Sequence, residues 1–214
     1  MDATKVLLVD DHEIIRTGLR TLLQREGDLV VVGEAPDGRA AVEQVRELSP
    51  DVVVMDLTMP HLNGIDATRQ AMAFKPSLKV IGLSASGDDR IVVEMLRAGA
   101  VGHVNKTAAA GELVNAIRTV LKGSFYFSPD IVSRIAADNG DHAHSAFDRL
   151  SPREREVLQL IAEGKSSKEI ATTLGIAVTT VETHRRQLME KLHLRTIAEL
   201  TKYAIREGLT SGEG

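Results

Sequence analysis

Asp10 and Asp11 follow the apolar run Val6 to Val9, and Asp56 follows the apolar run Val52 to Met55. A buried strand that ends in clustered acids is unfavourable by itself, because neighbouring carboxylates disfavour each other's ionisation. A divalent cation relieves this. Mg²⁺ suits the place, since it takes a few carboxylate oxygens, keeps several waters and often shares them with a phosphate. Two more polar groups end apolar runs: Ser84 after Val80 to Leu83, and Lys106 close behind Val101 to Val104. An aspartate can take a phosphoryl group as an acyl phosphate, with a cation and a lysine neutralising the phosphoryl oxygens and a hydroxyl donating to them. Taken singly, a Ser or Lys at a strand end is usually just solvated. Together, three acids require more positive charge than one lysine supplies.

These residues must be held by strands. Short β-branched runs at Val6 to Val9, Leu29 to Gly33, Val52 to Met55, Val80 to Leu83 and Val101 to Val104 alternate with longer stretches whose apolar residues recur at helical spacing. Near-continuous apolar strands separated by amphipathic helices predict a parallel sheet covered on both faces. Five such units make a doubly wound α/β domain, whose ligand site lies beyond the carboxyl ends of the strands. Asp10, Asp11, Asp56, Ser84 and Lys106 all fall there.

After Gly123 the character changes. Ser128-Pro129 opens a short helix to about Ala137, and the polar stretch Asp138 to Arg149 reads as an interdomain linker. Beyond it the pattern is entirely helical. Four Ser/Thr-x-x-Glu sequences, Ser151 with Glu154, Ser166 with Glu169, Thr179 with Glu182 and Thr196 with Glu199, predict four capped helix starts and a small all-α domain.

The chain of 214 residues has no cysteine, which removes disulfides, thiolate metal sites and cysteine nucleophiles and fits a reducing compartment. Met1 to Lys5 is polar, without a basic-then-apolar leader, and no apolar run approaches the length of a membrane span, so a cytoplasmic location without membrane attachment is expected. The net charge of −4 is uneven: residues 1–150 carry 16 Lys+Arg against 21 Asp+Glu, and residues 151–214 carry 10 against 9. The second part is too weakly basic for charge alone to mark nucleic-acid binding. With 3% aromatic residues, base stacking on single-stranded RNA is disfavoured. The first strand runs into Asp10-Asp11-His12-Glu13, without the glycines a dinucleotide pyrophosphate needs. A phosphohydrolase with an aspartyl nucleophile needs a second acid two residues on, and Thr58 stands there. His142 and His144, in a polar segment without further ligands nearby, do not make a metal site.

Asp10-Asp11, Asp56 in VVVMDLTMPHLNGID, Ser84 and Lys106 resemble, in order and strand position, the phosphoacceptor receiver domain of two-component response regulators over residues 3–122. The resemblance implies a flavodoxin-like receiver at residues 1–123 in which Asp56 accepts a phosphoryl group from a histidine kinase. It implies Asp11 and Asp56 as direct Mg²⁺ ligands, Asp10 as a ligand through water and the Thr58 carbonyl as a backbone ligand. Ser84 then bonds the phosphoryl group and Lys106 pairs with it. Where the family commonly has a Tyr or Phe that turns inward on phosphorylation, this chain has His103, an imidazole that can change charge near neutral pH.

Residues 150–214, after a short helix and linker at 124–149, resemble the LuxR-type helix-turn-helix domain, and the whole chain is similar to a NarL/FixJ response regulator. Ser167 to Leu174 and about Thr179 to Leu192, joined by a turn at Gly175, form two helices whose second enters a major groove. Val181, Leu188 and Leu192 face the core, with His184 packed beside them. Glu182, Thr183 and Arg186 point outward, at positions whose family equivalents contact DNA bases: Arg186 for guanine, Glu182 for cytosine, Thr183 for a thymine methyl. Lys168, Thr179, Thr180 and Arg185 are candidates for phosphate contacts. The resemblance implies a transcription regulator rather than an enzyme, binding double-stranded DNA as a homodimer when phosphorylated.

Overall fold

The computed structural model describes residues 3–85, 89–107, 110–128, 146–147 and 149–210, with residues 89, 90 and 110 described by their backbone alone. The chain forms two compact units, Met1–Ala137 and Asp138–Gly214.

In the first unit, strands β1 (Thr4–Val9), β2 (Leu29–Ala35), β3 (Val52–Asp56), β4 (Lys79–Ser84) and β5 (Gly102–Asn105) alternate with helices α1 (Glu13–Leu23), α2 (Gly38–Leu48), α3 (Gly64–Phe74), α4 (Asp89–Arg97) and α5 (Ala110–Leu121). The strands pair in parallel in the order β2-β1-β3-β4-β5. Every residue of β3 is buried, which explains its unbroken apolar sequence: both of its faces meet helices. Alternate residues of the central strands feed two cores. Leu7, Val9, Val53 and Met55 pack with Ala41, Val42 and Val45 of α2, Ile65 and Ala71 of α3 and Met95 of α4. Val6, Leu8, Val52, Val54, Ile81 and Leu83 pack on the other face with Leu23 of α1 and Leu113, Ile117 and Val120 of α5.

The α/β expectation holds, with the bounds of each strand differing by one or two residues: β1 begins at Thr4, β3 ends at Asp56 and β4 spans Lys79–Ser84. β2 runs on to Ala35, because its pairing with β1 shifts register between Val6 and Leu7 and continues to Val9 opposite Ala35. β5 is Gly102–Asn105, one residue later than expected. Val101 instead turns its backbone to Val80 and Tyr126, and His103 N–H donates to the Tyr126 carbonyl at 2.8 Å.

The second unit holds α6 (Pro152–Ala162), α7 (Ser167–Leu174), α8 (Val178–Leu192) and α9 (Ile197–Arg206) around Val157, Leu158, Ile161, Ile170, Val181, Leu188, Leu200 and Ala204. Capping boxes form at Ser151, Ser166 and Thr196. The box expected at Thr179 does not form. Helix α8 starts at Val178 behind Ala177, whose carbonyl accepts from Thr180 and Val181, so Thr179 lies inside the first turn. Glu182 is then too far along the helix to cap it and bonds the Ser167 hydroxyl instead. Gly175, at φ 62°, ends α7 in the left-handed conformation that glycine adopts without strain. The expected helix from Pro129 to Ala137 and most of the stretch from Asp138 to Arg149 lie outside the described residues, while Phe147 is buried against the second unit's core.

Gly64 tests the tightness of the first unit. A Cβ there would overlap the carbonyl oxygen of Asp56 and press on Leu57. Gly64→Ala is expected to lower stability by about 2 kcal/mol, as overpacking against backbone does. Gly111→Ala, in open space at the start of α5, should leave stability unchanged or raise it by up to about 1 kcal/mol. Urea midpoints of the two variants make the comparison.

Candidate functional site: an acidic pocket and a two-helix surface

The carboxyl ends of β1, β3, β4 and β5 are adjacent because of the strand order, and each delivers one polar group. Asp10, just past β1, is fully buried, and its N–H donates to the Ala35 carbonyl. Asp56 is the last residue of β3 and is 3% exposed. Ser84 ends β4 and is buried, and its carbonyl accepts from Lys106 N–H at 2.8 Å, which fixes the turn after β5. Lys106 Nζ then lies 2.7 Å from Asp10 Oδ2 and 2.7 Å from Asp56 Oδ2. The loop after Asp56 is anchored from below by buried Leu57, Met59 and Leu62. It closes on itself where Gly64 N–H donates to the Leu57 carbonyl and where Asn63 caps α3 through the Asp66 N–H. Thr58 N–H points back at Asp56 Oδ1, at 3.3 Å.

One ammonium faces two buried carboxylates. Burial pushes the Asp56 carboxyl up to about 6; its hydrogen bond and charge attraction to Lys106 oppose this, and Asp10 adds to it. For Lys106 burial acts downward, but hydrogen bonds to Asp10 and Asp56 prevail and raise it. Asp11 is the exposed rim of the cluster, and His12 joins it, with Nδ1 2.7 Å from Asp11 Oδ1. One ligand atom each from Asp10, Asp11, His12 and Asp56 lies within 4.8 Å of the others. His12 is a member of this cluster that was not among the expected site residues, and its place directly after the two acids is the local signal for it.

Of the expected pocket residues, Asp10, Asp11, Asp56 and Lys106 converge, Thr58 N–H is attached to Asp56, and Ser84 ends the neighbouring strand with its carbonyl on Lys106 N–H. His103 faces the same hydroxyl that was expected to meet a phosphoryl group: Ser84 Oγ and His103 Nε2 are 2.8 Å apart.

In the second unit, Val181 and Leu188 are fully buried and His184 is half-buried beside them. Lys168, Thr179, Thr180, Glu182 and Arg186 are exposed, while Thr183 and Arg185 are partly covered. Arg185 Nη1 donates to Ser167 Oγ at 2.5 Å and lies 3.3 Å from Glu182 Oε1, so α7 and α8 are tied at this surface by a small polar network. Thr183 Oγ1 donates to the Thr179 carbonyl. The pose of α8 is set from behind. Lys191 reaches Glu154 at 2.7 Å, burial of that carboxylate being outweighed by Lys191 and by the Ser151 cap so that its pKa falls below the usual range. Arg153 closes the end of α7 at the Leu174 carbonyl. These long-range ties join residues 21 and 37 positions apart, which sequence spacing does not reveal.

A parallel sheet with acids, a serine and a lysine at its carboxyl edge, followed by a helix-turn-helix unit, defines a signalling regulator. Residues 6–118 match the family described as response regulator receiver domain, and residues 148–204 match bacterial regulatory proteins of the luxR family. The chain belongs to the two-component response regulators with a LuxR-type DNA-binding domain. It is 37% identical over 207 residues to the response regulator GacA of Pseudomonas syringae pv. syringae, covering 96% of this chain and 97% of that protein. It is 38% identical over 213 residues to the oxygen regulatory protein NreC of Staphylococcus carnosus, covering 96% and 98%. RcsB of Salmonella enterica serovar Typhimurium, solved bound to promoter P1flhDC in the presence of the phosphomimetic BeF3⁻, is 30% identical with a TM-score of 0.61, over 94% of this chain and 98% of that one. The chain is thus a transcription regulator of this family rather than a turnover enzyme. Among the described residues no helix is long and apolar enough to cross a membrane.

The raised Asp56 pKa carries a sign. Folding favours the protonated carboxyl, so this contribution to stability is fully present below the unfolded pKa near 3.8 and is lost as pH rises through about 6. In metal-free buffer Asp56→Asn should therefore stabilise the protein above pH 6, by about 1 to 3 kcal/mol, and do little below pH 4. Thermal melts of both forms from pH 4 to 8 check it. Loss of stability at pH 8 in the variant would show instead that the ionised carboxylate holds the pocket together.

Proposed function

We propose that Asp56 is the phosphoryl acceptor, supplied by a sensor histidine kinase, and that phosphorylation controls dimerisation and sequence-specific binding to double-stranded DNA. The observation that carries this is the Lys106 ammonium 2.7 Å from a buried strand-end carboxylate. With its pKa near 6, Asp56 is mostly ionised at neutral pH and able to attack phosphorus. The bond from phosphorus to the kinase imidazole breaks as the Asp56 oxygen–phosphorus bond forms, and the imidazole leaves with the electron pair. Lys106 then has a phosphoryl oxygen to pair with, and Ser84 is placed to donate to it once its contact with His103 yields.

The donor set fits Mg²⁺. Asp10, Asp11 and Asp56 are hard oxygen ligands that outnumber the single ammonium, and Asp10, Asp11, Asp56 and the Thr58 carbonyl are the groups assigned to hold the ion. Bound there, Mg²⁺ supplies charge neutralisation at the phosphoryl oxygens. His103 is assigned to sense the phosphoryl group through Ser84.

On α7 and α8 we assign base reading to Glu182, Thr183 and Arg186 and phosphate contacts to Lys168, Thr179, Thr180 and Arg185, in a protein of the cytoplasm. The receiver is assigned residues 1–123, the helix-turn-helix domain residues 150–214 and the connection residues 124–149. Because Arg185 and Glu182 already bond Ser167, DNA must displace that network to engage them. The second unit is nearly neutral, so one copy has little electrostatic affinity, and tight binding is assigned to a homodimer on two half-sites.

Incubation with acetyl phosphate and Mg²⁺ is expected to add one base-labile phosphate to the full chain and none to Asp56→Asn; undiminished labelling of the variant would remove the assignment. For DNA, Arg186→Ala should relax specificity at one base position by about 1 to 3 kcal/mol, whereas Lys168→Ala should weaken all sequences alike and flatten the salt dependence. Titrations of specific and random duplexes at two salt concentrations separate the two effects.

A further inference from the structure

β5 is the last strand of the sheet, and its outer edge is covered by the chain just beyond α5. Tyr126 N–H donates to the Val101 carbonyl at 3.0 Å, His103 N–H donates to the Tyr126 carbonyl at 2.8 Å, and Tyr126 bridges Gly102 in parallel register. An open edge invites pairing with another chain; here a short segment takes the place of a sixth strand. Its side chains alternate as on a strand. Tyr126 packs inward against the core that holds Val104, Leu113 and Ile117. Phe125 and Phe127 lie beside each other, ring centroids 6.2 Å apart, with Phe125 68% exposed. The Tyr126 hydroxyl bonds Glu112 of α5, and burial, followed by that carboxylate, pushes the phenol pKa up.

His103 links this segment to the acidic pocket. Its ring faces Ser84, with Nε2 2.8 Å from Oγ, while its backbone holds Tyr126. Ser84 is the hydroxyl assigned to a phosphoryl oxygen. A hydroxyl has one proton, and once it is given to the phosphoryl group, Nε2 stays bonded to that oxygen only as a donor. The restraint on His103 thus depends on the state of Asp56. The attachment that His103 supports is slight, one bridge with two backbone bonds on a strand of four residues. Pairing of that size opens far more readily than the interior of a sheet. Tyr126 also stands near the start of the connection that leads to the DNA-binding unit.

We propose that residues 125–127 are a detachable strand of the receiver, and that Tyr126 is the positioning residue through which phosphorylation reaches the connection: docked on β5 while Ser84 bonds His103, released when Ser84 turns to the phosphoryl group. The inference rests on the assignment of Asp56 as phosphoryl acceptor. Three released residues add roughly 10 Å of extended chain to the tether of the DNA-binding unit. Two copies need such reach to set their recognition helices on half-sites about one helical turn apart. Docked, the same residues shorten the tether. A population shift requires an element with two states of which the phosphoryl group favours one, and this segment supplies it.

The test uses the full chain. Exchange of individual amide hydrogens is followed by NMR with and without BeF3⁻ and Mg²⁺, the fluoride standing in for a phosphoryl group on Asp56. In wild type the His103 and Tyr126 amides should exchange at least about tenfold faster with the mimic bound, while the Val101 amide, which donates to Val80 within the sheet, changes by less than about twofold. A duplex selected from random sequence with the acetyl phosphate-treated chain is then titrated with the phosphorylated and unphosphorylated forms of wild type, Tyr126→Ala and Tyr126→Phe. Tyr126→Ala should lower the affinity ratio of the two forms about fivefold or more, by tightening the unphosphorylated one, with the rate of Asp56 labelling within about twofold of wild type. Tyr126→Phe, which keeps the buried ring and the backbone pairing, should retain most of the wild-type ratio. Amide exchange that the mimic leaves unchanged overturns the proposal, whether or not Tyr126→Ala folds. So does a wild-type ratio in Tyr126→Ala, or a ratio lowered only through lost labelling or a weakened phosphorylated form. If wild type takes no label, or its DNA affinity does not respond to the label, the reading of Asp56 itself fails.

Discussion

A single ammonium held between two buried carboxylates is the constraint on which the receiver unit depends. Asp10 and Asp56 are both nearly inaccessible, and Lys106 touches each at the same distance. Charges removed from water are tolerated only when paired with good geometry, so the ends of β1, β3 and β5 must arrive together. The Ser84 carbonyl holding the Lys106 amide and the apolar underside of the loop after Asp56 serve this registration. Pairing is nonetheless incomplete. Two acids share one base, and the deficit is what leaves the pocket receptive to further positive charge.

The second unit solves a different problem, the presentation of one helix face without a large core. Three of its four helix starts are locked by reciprocal side-chain caps, and the Glu154 cap is itself tied to Lys191 at the far end of α8. Helix α8 is therefore held at its tail while its first turn, behind Ala177, has no side-chain cap. The α8 residues assigned to DNA, from Thr179 to Arg186, stand on the side of the helix nearest that uncapped end.

The sheet, its order of alternation and the pocket acids were legible in the sequence because each rests on a local pattern: a β-branched run, a helical period, a carboxylate directly after a strand. The capping boxes at Ser151, Ser166 and Thr196 were legible for the same reason, and the one at Thr179 misled because an identical local pattern sits within the first turn of a helix whose N-cap is Ala177. What could not be read was anything joining distant positions. The Ser84–His103 contact, the Arg185–Ser167–Glu182 network and the Lys191–Glu154 pair depend on crossing geometry that spacing along one element does not encode. His12 is the exception: its contacts are with the two acids that adjoin it in sequence.

The strand order also bears on how this protein is made. Asp10 lies near the start of the chain, Asp56 and Ser84 follow in succession, and Lys106 comes after all five strands. A nascent receiver therefore carries its acids unneutralised until the fifth strand and the turn beyond it leave the ribosome. Until then β1 and β3 end in uncompensated charge, and the pocket cannot close. Completion of the sheet and completion of the phosphoacceptor centre are the same event, so a truncated or stalled chain has no competent centre with which to intercept a signal.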